Sequence, residues 1–300
     1  MTNPKQILIV TRAFDPHADD MITVLRYMDH SPIRLNTEYL PTQSLLSLAF
    51  NTTGWHHQII LDGRIIDSAH IHAVWWRRPA PFQFPEGLSI QEIEFARAET
   101  RQALYGFWES MDCRWISHPY DVAAASNLLG QFQRAHRLGF DIPPMIITTN
   151  PAEAEAFFYV NEGQVSFRIM SDPTIITKSH DDPSSEYTHH ATPTTPLEES
   201  HLTMLDSICA VPCLFQRTIP LTRRWYVVII GSQLFAVEAS IETDAGKEQE
   251  KSYRRAMLPA PFAKRCLALA RSYQLHFCVT TLAQDTTGQW WFMEQNPIGQ

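Results

Sequence analysis

The sequence predicts a soluble α/β protein with more than one structural unit. Three observations carry that expectation. The chain has 300 residues, enough for two or three packed cores. Its hydrophobic share of 44% and charged share of 19% are those of a globular chain. In its first third, short apolar strands alternate with stretches of helical period, which is the signature of a doubly wound sheet.

Taken in order, Ile7 to Thr11 reads as a first strand, and Met21, Val24, Leu25 and Met28 as one helix face. Ile33 to Leu35 is a second strand. Trp55 to Asp67 alternates around the turn signal Asp62-Gly63. Ala73 to Trp76 is a strand stopped by Arg77-Arg78-Pro79, and Ser89 to Met111 a long helix with Ile93, Ala96, Thr100, Ala103, Leu104 and Phe107 inward. A second segment opens near His118-Pro119, where Asp121 would cap a helix running to Leu138 and Gly139 would stop it. Strand Met145 to Thr148, a helix after Asn150-Pro151, and strands Val165 to Ile169 and Thr174 to Lys178 follow. Ser179 to Ser200 lacks periodicity and reads as a loop or lid. The third segment holds strand Leu214 to Ile219, a hairpin through Gly231-Ser232, a charged loop from Thr243 to Lys251, helix Phe262 to Tyr273, and a last hairpin through Asp285 to Gly288. The expected boundaries are 1–117, 118–201 and 202–300.

Charge and composition exclude several function classes. A net charge of -8 argues against nucleic acid as a partner, because phosphate backbones need clustered Lys and Arg. No apolar run is long enough to span a bilayer, and no signal peptide is visible, so a cytoplasmic protein is expected. The five cysteines are too sparse for a disulfide framework and are expected as free thiols. No Gly-x-Gly-x-x-Gly follows the first strand, which argues against a dinucleotide site there.

Two places suggest chemistry. Alternation puts Glu294 and Asn296 on one face of a strand end, and a carboxylate beside an amide oxygen suits Mg²⁺ with phosphates as its other ligands. Lys178, closing an apolar strand, offers a point charge to a nucleotide phosphate. Arg77 and Arg78 either grip acidic groups of a peptide bidentately or stand as surface arginines at a strand end.

Together, Trp75-Trp76-Arg77-Arg78-Pro79, Phe215-Gln216-Arg217-Thr218-Ile219-Pro220 and Glu294-x-Asn296-Pro297-x-Gly299-Gln300 resemble the ATP-grasp maturases of ribosomal peptides, the microviridin-type or graspetide-forming ligases. The resemblance runs over nearly the whole chain. It implies an ATP-grasp architecture: an N-terminal doubly wound α/β pre-ATP-grasp domain, a central α+β domain and a C-terminal α+β domain. It also implies ATP and Mg²⁺ as cofactors, a ribosomal precursor peptide as partner, and a homodimer. The implied reaction activates an Asp or Glu side chain of the peptide as an acyl phosphate, which a Thr, Ser or Lys side chain attacks to close an ester or amide ring. Under it, Lys178 contacts phosphate, Phe215 and Gln216 line the cofactor site, Glu294 and Asn296 hold the metal, and Arg254 serves catalysis, with Arg224 as a candidate second catalytic arginine.

The chain also departs from that pattern. Leu128 stands where the family has a Lys, Arg224 and Tyr226 stand where it has an acid and then an Arg, and Ser252 and Thr281 replace acids. Fewer charges would weaken Mg²⁺-nucleotide binding and phosphoryl transfer. Arg217, Arg223 or Arg224 could substitute for the missing Arg, and Asp285 partly for the missing acid. Two rival readings follow: a degenerate homologue that binds the precursor or acts as a scaffold, and an ATP-grasp ligase for free amino acids or small peptides.

Overall fold

Alternation in the first strand decides how the N-terminal third is layered. In β1 (Gln6–Thr11), Leu8 and Val10 point to one side and Ile9 to the other. Ile9 packs with Ala18 and Ile22 of α1 (Pro16–Tyr27), so the helix is seated one step round from the expected face, and Met21, Val24 and Met28 are exposed. Asp15 caps this helix by accepting from the Ala18 amide. Strand β2 (Ser31–Asn36) follows, and then a three-stranded antiparallel meander of β3 (Leu45–Asn51), β4 (Gly54–Leu61) and β5 (Arg64–Asp67). Strand β6 (Ile71–Trp76), helix α2 (Ile90–Glu109) and β7 (Arg114–Ile116) complete the unit. Ser89 and Glu92 start α2 with a reciprocal capping box. Leu8, Val10 and Val74 pack against Leu104, Phe107 and Trp108 of α2 and against Ile59 and Ile66 of the meander. The sheet is wholly parallel in the order β2-β1-β6-β7 and has a helix on each face, a doubly wound unit as the sequence predicts.

The computed structural model describes residues 6–52, 54–61, 63–170, 174–177, 188–191, 194–244 and 247–299. Asp62 of the expected turn and Lys178 lie outside these residues.

The helix expected to run unbroken to Leu138 is two helices. His118 caps α3 (Pro119–Ala125), leaving Asp121 in its first turn, and Asn127 caps α4 (Leu128–Arg137) by accepting from the Gly130 amide. The break arises because Asn127 satisfies the amides of a new helix start. A four-stranded antiparallel sheet then forms from β8 (Met145–Thr148), β9 (Val165–Arg168), β12 (Thr195–Pro196) and β13 (Cys213–Arg217), in the order β12-β9-β13-β8. Helix α5 (Pro151–Val160) covers one face through Ala154 and Phe158. Strands β10 (Thr174–Thr177) and β11 (Thr188–Ala191) pair with each other, and α6 (Glu199–Leu202) follows, so parts of the expected aperiodic loop are ordered elements.

The last unit is a five-stranded antiparallel sheet, β16-β15-β14-β17-β18. Its strands are β14 (Leu221–Ile230), β15 (Gln233–Asp244), β16 (Lys247–Ala256), β17 (Phe277–Asp285) and β18 (Trp290–Asn296), with α7 (Ala260–Ser272) between β16 and β17. The expected charged loop from Thr243 to Lys251 is instead mostly strand, because β16 pairs with β15 along its length. Trp225, Val227 and Ile229 of β14 join Leu282, Phe292, Leu269 of α7 and Phe132 of α4 in the largest core. Helices α3 and α4 thus lend their apolar side to the last sheet, although they precede the central one in sequence.

Candidate functional site

Two sheet faces free of covering helices meet in a cleft, and their registers say which side chains line it. On the last sheet, Tyr226, Thr281 and Glu294 stand directly opposite one another across β14, β17 and β18, and Asn296 stands opposite Val279. Alternation therefore puts Glu294 and Asn296 on the same face, opposite to the core side chains Trp225, Leu282 and Phe292. Next to this polar row, Ile219, Leu221, Ile241 and Ala283, flanked by Trp291 and Met293, form an apolar floor. On the central sheet, Phe215 points away into the core under α5, whereas Arg168, Ser166 and Gln216 lie on the opposite face by register.

Arg168 and Glu294 bring the two faces together. The Arg168 Nη1 lies 3.9 Å from a carboxylate oxygen of Glu294. Burial lowers the Arg168 pKa and Glu294 pulls it back up. Its Nε is buried without a hydrogen-bond partner, and so is the side-chain amide nitrogen of Gln216. Buried donors without acceptors are costly, and in a cleft they fit anionic or carbonyl oxygens of a ligand. Sequence reasoning passed over Arg168. Its signal was the one that singled out Lys178, a cation closing an apolar strand.

Glu294 is half exposed. Asn296 turns its side-chain oxygen back to accept from the Ile298 amide at 3.1 Å, leaving one lone pair toward the cleft. Among the described residues no group of three or more His, Cys, Asp or Glu is arranged to hold a metal ion. Mg²⁺ needs only one or two carboxylates when nucleotide phosphates supply further oxygens. The donors here fit that case, one Mg²⁺ shared with phosphates, and do not fit a metal held by protein alone. Asp285 is no substitute acid: it is buried in its turn, where it accepts from the Thr287 amide and hydroxyl, the Gln289 amide and the Trp291 indole.

Arg224 lies on the cleft-facing side but is occupied. Its guanidinium donates to Glu250 at 2.5 Å and Glu248 at 3.0 Å, both on β16. Glu250 also accepts from the hydroxyls of Tyr226 and Tyr253, each at 2.7 Å. Burial works against the Arg224 charge, but the two carboxylates hold its pKa above the ordinary value. The same burial, with Glu250 beside it, pushes Tyr226 up to about 12. The charged stretch Glu248 to Arg255 thus belongs to an edge strand whose acids neutralise Arg224.

Arg254 is not on this face. It donates to the buried Glu238 at 2.8 Å, and Arg223 reaches the same carboxylate at 3.2 Å. Glu238 stands opposite Trp225, on the core side of the sheet. Arg77 is 2% exposed and spends its guanidinium within the chain, on Asp15 and on the carbonyls of Ile298 and Gly299. Arg78 beside it is half-buried. The structure therefore brings Glu294, Asn296, Gln216 and Arg224 to one cleft, and sets Phe215, Arg254 and Arg77 apart from it.

Gln131 is another residue the sequence reading missed. On the buried side of α4, its amide donates to the Gln295 carbonyl at 2.8 Å and accepts from the Gln295 amide at 2.8 Å, pinning the strand residue between Glu294 and Asn296. Its signal was a polar residue on the apolar face of a helix, beside Phe132.

Comparison with known proteins agrees with this fold. Residues 6–123 match the family model of the MvdD pre-ATP grasp domain. No curated protein matches the chain. Among solved structures, macrocyclase MdnC from Microcystis aeruginosa MRC, bound with precursor peptide MdnA, superposes with a TM-score of 0.87 at 21% identity, over 98% of this chain and 92% of that one. The Chryseobacterium gregarium RiPP-associated ATP-grasp ligase, in complex with ADP and a leader and core peptide, gives 0.86 at 22% identity, covering 99% and 90%. Macrocyclase MdnB from Microcystis aeruginosa MRC gives 0.80 at 26% identity, covering 98% and 92%. With a match to the MvdD pre-ATP grasp domain over residues 6–123 and the ATP-grasp fold over its whole length, the chain is similar to the graspetide-type ATP-grasp ligases of ribosomal peptides.

Proposed function

We propose that this protein is an ATP-dependent peptide ligase that activates Asp or Glu side chains of a ribosomal precursor peptide and closes side-chain ester or amide macrocycles. The observation that carries the reading is the meeting of Arg168 and Glu294 across the cleft, with the unpartnered Gln216 amide on the same face as Arg168. Glu294 and Asn296 would hold one Mg²⁺. Arg168 and Gln216 would take nucleotide oxygens, with Lys178 as a further phosphate contact. When bound, Mg²⁺-ATP supplies the phosphoryl group that turns a carboxylate oxygen into a leaving group. The chain's own part is to offset charge through Arg168, to orient the nucleotide over the apolar floor beside the polar row, and to hold the peptide close enough for intramolecular attack. The proposal includes a cytoplasmic homodimer, units at 1–117, 118–201 and 202–300, and Arg78 as a peptide contact.

A second reading has specific support. Thr281 faces Glu294 where an acid would complete the metal site, and Arg224 is neutralised by Glu248 and Glu250. These features favour a homologue that binds the precursor without processing it. Incubation with precursor peptide, ATP and Mg²⁺, followed by mass spectrometry, separates the two: loss of water from the peptide supports the ligase, and an unmodified peptide that still co-purifies with the protein supports the binding subunit. In a thermal shift assay, ADP with Mg²⁺ at a hundred times its dissociation constant should add about 2.7 kcal/mol. Arg168→Met and Glu294→Gln should each lose most of that gain; an undiminished gain in both variants would refute the site assignment.

A further inference from the structure

We infer that Arg77, seated on Asp15, is a positioning residue that fixes the turn after Asn296 and so sets how Glu294 and Asn296 are presented to Mg²⁺-nucleotide; this rests on the ligase reading of the cleft. Arg77 follows β6 at the carboxyl end of the first sheet, where its amide donates to the Val10 carbonyl. Its side chain and that of Asp15 are each 3% exposed and lie 3.4 Å apart. Asp15 is itself fixed by the Thr11 hydroxyl at 2.6 Å and the Ala18 amide at 3.3 Å. The Arg77 Nε faces Asp15 as an ion pair without a hydrogen bond, and a buried guanidinium gains from acceptors for its other donors. Its Nη1 finds two in the last unit, the carbonyls of Ile298 at 2.5 Å and Gly299 at 3.1 Å.

The turn they hold is the one Asn296 closes on the Ile298 amide. Gly299 leaves it little room to shift. Its φ is +62°, and a Cβ there would lie 2.6 Å from the Phe277 ring. On the other side of Asn296, Gln131 clamps the Gln295 backbone through both its amide and its carbonyl. Glu294-x-Asn296 is therefore held from two directions, by α4 behind the strand and by the first unit beyond its end. Groups that orient metal ligands without touching the metal commonly govern its affinity. A first-unit arginine acting on a C-terminal metal site gives that unit a part in the chemistry that its distance in sequence does not suggest.

The test is a thermal shift titration of the full-length protein with saturating ADP and increasing Mg²⁺, in wild type, Arg77→Lys and Gly299→Ala. Lysine keeps a charge on Asp15, but a single ammonium does not span the carboxylate and both carbonyls. The alanine disturbs the same turn from the Phe277 side with Arg77 intact. In each variant the Mg²⁺ concentration giving half of the nucleotide-dependent shift should rise about tenfold, while the shift by ADP in EDTA stays at the wild-type value. A lower ligand-free Tm with an unmoved Mg²⁺ midpoint would mean a structural tie only and overturns the inference. Should Arg77→Lys not fold, Gly299→Ala alone decides by the same criterion. A wild-type protein that ADP and Mg²⁺ do not stabilise at all overturns the ligase reading and this inference together, whereas a responding wild type with unmoved variants overturns this one alone.

Discussion

Replacing Gln131 by leucine probes the clamp behind the metal-side strand. Gln131 is 4% exposed, and its side chain makes three hydrogen bonds, to the Ala125 carbonyl at 2.6 Å and to the Gln295 carbonyl and amide at 2.8 Å each. Leucine fills a similar volume and gains about 1 kcal/mol of transfer energy, but it leaves one amide and two carbonyls buried without these partners. Each such group costs roughly 1–3 kcal/mol, so the net loss should be about 3 kcal/mol. At an unfolding entropy of about 2.1 cal/mol/K per residue, that is a fall in Tm of roughly 5 °C if the chain melts as one unit. It is larger if the last unit melts by itself. Differential scanning calorimetry reads this directly. Gln131→Glu is the informative companion, because a carboxylate still accepts from the Gln295 amide but cannot donate to either carbonyl. It should be destabilised at neutral pH and partly recover as the pH falls and the acid becomes a donor. A Gln131→Leu protein that melts within 1 °C of wild type would refute the claim that these bonds fix the strand.

Three further outcomes follow from the structure. Asp15 is depressed below the usual carboxylate range: burial raises its pKa, but the Thr11 hydroxyl, the Arg77 charge and the Ala18 amide outweigh it. Its contribution is therefore whole above its unfolded value of about 3.9 and fades as pH falls through the folded value. Asp15→Asn should cost about 3 kcal/mol at pH 7 by stranding Arg77, and should show a flatter acid limb than wild type in Tm measured against pH. At the alkaline end, burial pushes the Cys266 and Cys278 thiols up to about 12, as it does Tyr226. Groups with raised folded pKa stabilise fully below their unfolded values, about 8.5 for Cys and about 10 for Tyr, and lose that contribution as pH climbs toward the folded value. Cys278→Ala should then lose less stability than wild type between about pH 9 and pH 11; identical slopes would count against a buried, neutral thiol. Finally, a thiol reagent at neutral pH should label the exposed Cys209 in the native protein and leave Cys266 and Cys278 unlabelled until denaturant is added, which peptide mass mapping checks.

Local patterns carried the fold a long way. The run Ile7 to Thr11, the strand before Arg77-Arg78-Pro79, the start of the long helix at Ser89 and the turn at Gly231-Ser232 are each determined within a few residues, and each stands where the sequence puts it. Strand alternation likewise sufficed to place Glu294 and Asn296 on one face. Where charge dominated, local reading failed. Lys247 to Ala256 has the composition of a solvated loop, and it is a strand because β15 offers it a ladder and Arg224 a partner for its acids.

The sequence by itself thus determined much of the order of strands and helices, the division into apolar and polar faces, and the ATP-grasp fold class, because these depend on short-range periodicity and on contiguous motifs. Only the tertiary structure decided which charges are free. Arg77 looked like a grip for substrate and is consumed by Asp15 and the Ile298 and Gly299 carbonyls; Arg224 is consumed by β16; and Arg168, unremarked in its strand, faces Glu294 across the cleft. A side chain's charge is written in the sequence, but its availability depends on desolvation and on partners that arrive from far along the chain, and those exist only once the sheets have packed.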